Sequence, residues 1–265
     1  MDEAARRSGV SRGQSFDDFL EMAVCTLSGG RMEPQYLAVV KKYSEGAKGK
    51  RGVDSLAELY GKAINAMEDT RDDIKDVLGD LFVGGISYGE DSQYFTPMPI
   101  CQMMARLTIG DMPEDEQAKK KTVCDPACGS GRMLLAVAEV HRHWEFVGQD
   151  VDLRCCRLTA LNLALRNLYG YAICGNSLGS TVRQVYRTGF NGRGFLREAS
   201  HAELQERFGA KIDELKTAVA VEPTPHTAEQ PSVASSETAE TSASRGSQIA
   251  DPVCESKPLK QLRFF

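Results

Sequence analysis

The chain has 265 residues, a net charge of −5 and an isoelectric point near 5.5. That length suits one well-cored domain with extensions, and the acidic balance excludes a uniformly basic nucleic-acid binder, so contact with DNA has to be local or supplied by a partner. No apolar run approaches the length of a membrane span, and the first residues, MDEAARRSGVSRGQSF, lack a secretory apolar stretch, so a cytoplasmic location with no membrane association is expected.

Residues 1–14 read as a disordered lead. Apolar residues at helical intervals in FDDFLEMAVCTL and PQYLAVVKKY predict two helices, separated at Gly29 and Gly30, with Pro34 opening the second. SLAELYGKAINAM predicts a third helix capped by Asp54 or Ser55, and DTRDDIKDVLGDLFVGGI a fourth ending at Gly84 and Gly85. Residues 15–90 are therefore expected to form a helical subdomain. In QYFTPMPICQMMARLTI, Pro97 and Pro99 suit the first turn of a helix whose Met98, Met103 and Met104 are expected in a core. DMPEDEQAKKK reads as a charged loop in which Lys119, Lys120 and Lys121 are solvated.

KTVCDP, WEFVGQD and YAICGN then read as strands, with GRMLLAVAEVHRH and LRCCRLTALNLALRNL as the helices between them. Such alternation predicts a parallel sheet of right-handed crossover units, which binds ligands at the carboxyl ends of its strands, where Asp125, Asp150 and Asn176 stand. His141 and His143 close the first of these helices and are expected to face solvent. RQVYRTGFNGRGFLRE predicts a hairpin turning at Asn191 and Gly192, with two more strands expected in 182–198. Its Arg183, Arg187, Arg193 and Arg197, set among Tyr186, Phe190 and Phe195, fit a plain amphipathic hairpin or a nucleic-acid surface. SHAELQERFGAKIDELKTAVA predicts an amphipathic helix capped by Ser200 with Glu203 three residues on. Residues 221–265 are too rich in Ser, Thr, Ala, Glu and Pro to bury a core and read as a disordered tail. The eight cysteines show no CxxC pair and no finger spacing with histidine, so reduced, mostly buried thiols and no metal are expected.

The segment VCDPACGSGRMLLAV, residues 123–137, places two glycines between a strand and a helix. A phosphate loop needs Lys after its last glycine, but Arg132 follows Gly131 and the spacing is too short; a dinucleotide loop needs a third glycine. S-adenosylmethionine, which has no phosphates, fits better. Bare backbone at the loop admits its amino-acid end and ribose. Asp150, about 20 residues past the loop, is placed to accept both ribose hydroxyls, and the amide of Asn176 suits an adenine edge.

DPACGSGRML, with QYFTP before it and GQDVD and GNSL after it, closely resembles the N6-adenine DNA methyltransferases, and in particular the modification subunits of type I restriction-modification systems. The resemblance covers about residues 75–180 and includes DVLGDLF. It implies that Thr96 and its YFTP neighbours meet the methionine carboxylate. It further implies that Asp125, Ala127, Cys128, Gly129 and Gly131 line the amino-acid end, that Asp150 and Val151 hold ribose and adenine, and that Asn176 and Ser177 reach the adenine ring. It also implies DNA as a partner, together with a specificity or catalytic partner subunit. The family's base-holding motif, Asn-Pro-Pro followed by an aromatic residue, does not occur anywhere after Asn176. Its asparagine and proline carbonyl would accept the hydrogens of the adenine amine while the aromatic ring stacks on the flipped base.

The peptide Gln261-Leu262-Arg263-Phe264-Phe265 resembles the pentapeptide by which bacterial proteins dock on the replication sliding clamp; an apolar peptide that packs back on the domain is the plainer alternative. The expected fold is α/β: a partial Rossmann-like methyltransferase sheet over 91–220, with its C-terminal half truncated or divergent, behind a helical N-terminal subdomain. The expected function is that of an adenine-N6 DNA methyltransferase or its cofactor-binding part. The alternatives are a catalytically degenerate cofactor-binding or DNA-associated module tethered to the sliding clamp, and a methyltransferase acting on protein or a small molecule.

Overall fold

The structure, a computed structural model, describes residues 1–67, 74–85, 94–110, 113, 118–179, 181–208 and 211–212. All belong to one compact unit. Gln93 and the whole tail expected at 221–265, with its peptide Gln261, Leu262, Phe264 and Phe265, lie outside the described residues.

Six helices come first: α1 (Asp2–Ser8), α2 (Arg12–Leu27), α3 (Glu33–Lys42), α4 (Gly52–Ala66), α5 (Val77–Gly85) and α6 (Met98–Ile109). Residues 1–14 are thus not a disordered lead. Ala4 and Ala5 of α1 are buried, Gly9 ends that helix in the left-handed region, and Ser11 caps α2 by accepting from Gln14 N at 3.0 Å. The cap of α4 also differs from expectation: Arg51 precedes the helix, and Asp54 reaches back to accept from Arg51 N at 3.0 Å. Buried Asp18 fastens α3 to α2 by accepting from Tyr43 Oη at 2.8 Å and Lys42 Nζ at 3.0 Å.

The sheet follows: β1 (Thr122–Asp125), α7 (Arg132–Val140), β2 (Glu145–Asp150), α8 (Leu153–Leu165), β3 (Gly170–Cys174), β4 (Thr181–Val182), β5 (Gln184–Thr188), β6 (Leu196–Glu198), α9 (His201–Phe208) and β7 (Lys211–Ile212). The main sheet runs β1-β2-β3-β5-β6, with β1, β2 and β3 parallel as expected and β5 and β6 antiparallel. The hairpin therefore lengthens the sheet beyond β3, and among the described residues nothing pairs with the outer edge of β1. Strands β4 and β7 form a separate parallel pair.

Strand register sorts the side chains by face. Phe146, Ala172 and Tyr186 point toward the helices, while Val147, Ile173 and Val185 form a smaller cluster with Leu204 of α9. The helical region is not a separate subdomain, because Phe16, Phe19, Leu56 and Phe82 share one core with Leu158, Leu161 and Tyr186. A short tail of aromatic contacts joins the layers: Phe82 lies 5.5 Å from Phe16 and 5.6 Å from Phe95.

Two sequence expectations change, and one choice between alternatives is resolved. Met103 and Met104 are exposed, at 54% and 42%, and with Ile100 and Leu107 they form an apolar stripe on the outer face of α6, whose inner face buries Cys101, Ala105 and Ile109. Only Met98 packs against the core. His141 is buried, its ring stacked 4.2 Å from Trp144, and burial lowers its pKa; His143 stays exposed. The hairpin arginines serve internal pairs: Arg187 and Arg197 both bind Glu203, at 3.0 and 2.8 Å, which favours the plain hairpin.

Phe82 is fully buried where the helical layer meets the sheet. Phe82→Ala is expected to cost about 3–5 kcal/mol in urea unfolding, and a loss below about 1 kcal/mol would show that the layers do not share that core.

Candidate functional site

The loop between β1 and α7 is built by conformation and close approach. Gly129 and Gly131 have φ of +53° and +86°, a region that glycine enters freely. A Cβ on Gly129 would stand 2.7 Å from the Phe95 ring, and one on Gly131 would stand 3.1 Å from Thr159 Oγ1. Phe95 of the YFTP segment therefore lies against the glycine loop. Thr96 is exposed in that segment, beside the loop's covering ring.

Backbone bonds hold the loop to its strands. Cys128 N donates to Gln149 O at 3.0 Å, and Gly131 N donates to Cys128 O at 2.7 Å. Gly129 N donates to Asp150 Oδ2 at 3.0 Å, while Asp152 N donates to Asp150 Oδ1 at 2.9 Å. Asp150 thus stands against the loop and keeps a free lone pair on each oxygen. Asp125 Oδ1 accepts from Ala127 N at 3.2 Å. Burial pushes the Asp125 carboxyl above its ordinary value, the Ala127 amide opposes this, and the neighbouring Asp150 charge adds to the rise. Two carboxylates therefore face the ligand end of the sheet.

The nearby cations are engaged in internal bonds. Arg132 Nε binds Asp76 Oδ2 at 2.7 Å and its Nη2 binds Asp80 at 2.5 Å. Arg154 pairs with Asp152, and Arg183 donates to Val151 O. A doubly acidic rim with its arginines engaged repels phosphate groups and suits a ligand with a diol and positive charge.

The remaining expected residues divide. Val151 is 59% exposed beyond β2, and Leu178 is 96% exposed beyond β3, so the rim offers apolar surface to a flat ring. Asn176 gives its Oδ1 to Leu178 N at 2.9 Å and Gly179 N at 3.1 Å, which leaves its NH2 for a ligand. Ser177 is half-buried in the same turn, and Ala127 is exposed on the loop. Cys128 does not face a ligand: its thiol is buried 3.3 Å from Thr159 Oγ1, and burial raises its pKa well above the ordinary thiol value. The other described cysteines are also free thiols, all buried but Cys124.

Sequence reasoning missed a supporting layer. Thr159 Oγ1 donates to Gly129 O at 2.9 Å, and Asn162 Nδ2 donates to Ser130 O at 2.8 Å. Both are buried polar residues three apart on α8, a signal the sequence carried as two polar breaks in an otherwise apolar helix face. Asp76 joins this layer from the start of α5.

Because the folded state holds the Asp125 proton more tightly than the unfolded chain does, stability falls as pH rises from about 4 through the raised value. Asp125→Asn removes this penalty. Thermal unfolding at pH 7 is expected to show a higher Tm for the variant, with the gap closing as pH falls toward about 4; a gap independent of pH would place the effect elsewhere.

Residues 75–187 match the family model described as N-6 DNA Methylase. The methylase subunit of the type I restriction enzyme MpnII from Mycoplasma pneumoniae is 32% identical over 107 residues, which cover 35% of this chain and 18% of that subunit. No solved structure matches the chain. The motifs QYFTP, DPACGSG, GQDVD and GNSL all fall inside the matched stretch, which is less than half of the chain and is similar to the N-6 DNA methylases.

Proposed function

We propose that the chain binds S-adenosylmethionine at the carboxyl ends of β1, β2 and β3 and acts as the cofactor-binding part of an adenine-N6 DNA methyltransferase of the restriction-modification kind. The observation that carries this reading is the placement of Asp125 and Asp150 beside a bare glycine loop whose arginine is held in an ion pair with buried Asp76. When bound, this cofactor supplies an electrophilic methyl group. Asp150 would hold the ribose hydroxyls on its two remaining acceptor sites. Gly129 and Gly131 leave space for the amino-acid end, with Asp125 and Thr96 beside it. Val151 would cover one face of the adenine, and Asn176 Nδ2 and Ser177 would meet its edge.

Transfer to DNA calls for parts that the described residues do not offer. The asparagine-proline-proline segment is absent from the sequence after Asn176. The net charge of −5 and the engaged arginines give no cationic track for a phosphate backbone at this end of the sheet. We therefore assign base capture and DNA contact to a divergent segment or a partner chain. The unpaired outer edge of β1 and the apolar stripe on α6 are surfaces suited to receive it. A second reading, a cofactor-binding module that transfers no methyl group, is favoured by the same missing segment.

Ultraviolet photolabelling with tritiated S-adenosylmethionine is expected to mark peptides containing residues 123–132 or 146–153, and Asp150→Ala to lose at least about 90% of the label, as for removal of a charged hydrogen-bonding group. Absence of label in the folded wild type would overturn the assignment. In the companion assay with unmethylated bacterial DNA, the chain alone is expected to transfer no label if a partner supplies these parts. Transfer by the chain alone, abolished by Asp150→Ala, would contradict the need for a partner and locate a substitute base-holding residue in a divergent segment after Asn176.

A further inference from the structure

Asp76 is 3% exposed and stands 54 residues before Ser130 in the chain. Four donors converge on its carboxylate. Oδ1 accepts from Gly79 N at 2.9 Å and from Asn162 Nδ2 at 2.8 Å. Oδ2 accepts from Ser130 Oγ at 2.5 Å and from Arg132 Nε at 2.7 Å. A carboxylate offers about four lone-pair sites, and here the protein occupies all of them. Asp76 therefore has no capacity left for a ligand, and whatever it does for the site it does through the loop.

The donors are not a random set. Gly79 belongs to α5, Asn162 to α8, and Ser130 and Arg132 flank Gly131 in the loop. A Cβ on Gly79 would collide with the Asp76 carboxylate and stand 2.6 Å from Ser130 Oγ, so α5 approaches the loop as closely as glycine permits. Asn162 couples the two sides, because the amide group that donates to Asp76 also donates to Ser130 O at 2.8 Å. Its own Oδ1 accepts from Arg166 Nη1 at 3.1 Å, and Arg166 Nη2 reaches Lys75 O at 2.6 Å, which returns the network to the residue before Asp76. Ser130 is thus fixed by its side chain and its carbonyl at once, between the two glycines whose positive φ shapes the loop.

We infer that Asp76 is a positioning residue: it sets the conformation of the 128–132 loop from the helical layer, and so holds Gly129 N against Asp150 in the ligand-ready arrangement. It also holds Arg132 in an internal ion pair. The assignment of this end of the sheet to S-adenosylmethionine rests on the function proposed above; the control of loop conformation does not. Without Asp76 the loop loses the carboxylate that holds Ser130 and Arg132, while its bonds to Asp150, Gln149 and Thr159 remain.

The test is amide hydrogen exchange on the full chain, wild type against Asp76→Asn and Ser130→Ala, with S-adenosylmethionine affinity measured on the same preparations. Asp76→Asn is expected to speed exchange of the Gly129 and Gly131 amides by about tenfold or more, leaving Val147 and Ala172 in the central strands unchanged, and to weaken cofactor binding by about tenfold. Ser130→Ala, which removes one hydroxyl and keeps the buried ion pair, should produce a smaller change at the same two amides. The double variant should fall short of the sum of the single effects, because both act through one bond. A uniform loss of protection in loop and strands would make Asp76 a purely structural residue and overturn the inference, as would unchanged loop exchange in either variant. If Asp76→Asn does not fold, Ser130→Ala decides alone. If the wild type does not bind the cofactor, the proposed function fails, and the exchange data still decide the positioning role.

Discussion

Four donors on one buried carboxylate hold the rest of the molecule in register. Asp76 ties the end of the helical layer to the glycine loop and to the middle of α8. A buried carboxylate is tolerated only when its acceptor sites are filled and a cation balances it, and Arg132 does both. The same bond that makes Asp76 affordable also decides which way Arg132 points. The phenylalanines continue the tie on the apolar side: Phe16, Phe82 and Phe95 stack in sequence from α2 to the segment that covers Gly129. The N-terminal helices are in this sense part of the site's scaffold rather than an attached domain.

The charge at the ligand end follows from that scaffold. A glycine loop leading into a helix is commonly an anion site, because the amides of the first turn point outward. Here Gly129 N points instead to Asp150, and Asp125 stands near enough to feel its charge. With Arg132, Arg154 and Arg183 all drawn into internal bonds, the rim selects against phosphates and for a ligand of neutral or positive character. The division of labour proposed for this chain has the same physical root. An acidic end of the sheet is ill suited to a polyanion, which is why the proposal places DNA contact on another surface or another chain.

Much of this was legible in the sequence, for local reasons. Period-two and helical patterns located β1, β2, β3 and their crossover helices, because each element's burial is written in its own residues. Asp125 and Asp150 were legible because strand ends of a parallel sheet are where ligands sit. What was not legible depended on partners distant in the chain. Helix α1 spans seven residues and buries only Ala4 and Ala5, too little for a pattern to show. The methionines of α6 have the spacing of a core face, and spacing does not say whether anything packs on that face. His141 reads as a solvated helix end until Trp144 folds back onto it. Cys128 sits in the loop by sequence, yet its thiol turns inward to Thr159. The role of Asp76 needed Ser130 and Asn162, 54 and 86 residues away.

The central claim is that the paired aspartates and the bare loop make a site for S-adenosylmethionine, independent of any step on DNA. Isothermal titration of S-adenosylmethionine into the full chain tests it most directly. The account predicts saturable binding with one site per chain, and at least about tenfold weaker binding of ATP, whose phosphates meet the same two carboxylates. Folded protein that gives no saturable signal with S-adenosylmethionine, or that binds ATP as tightly, would contradict it.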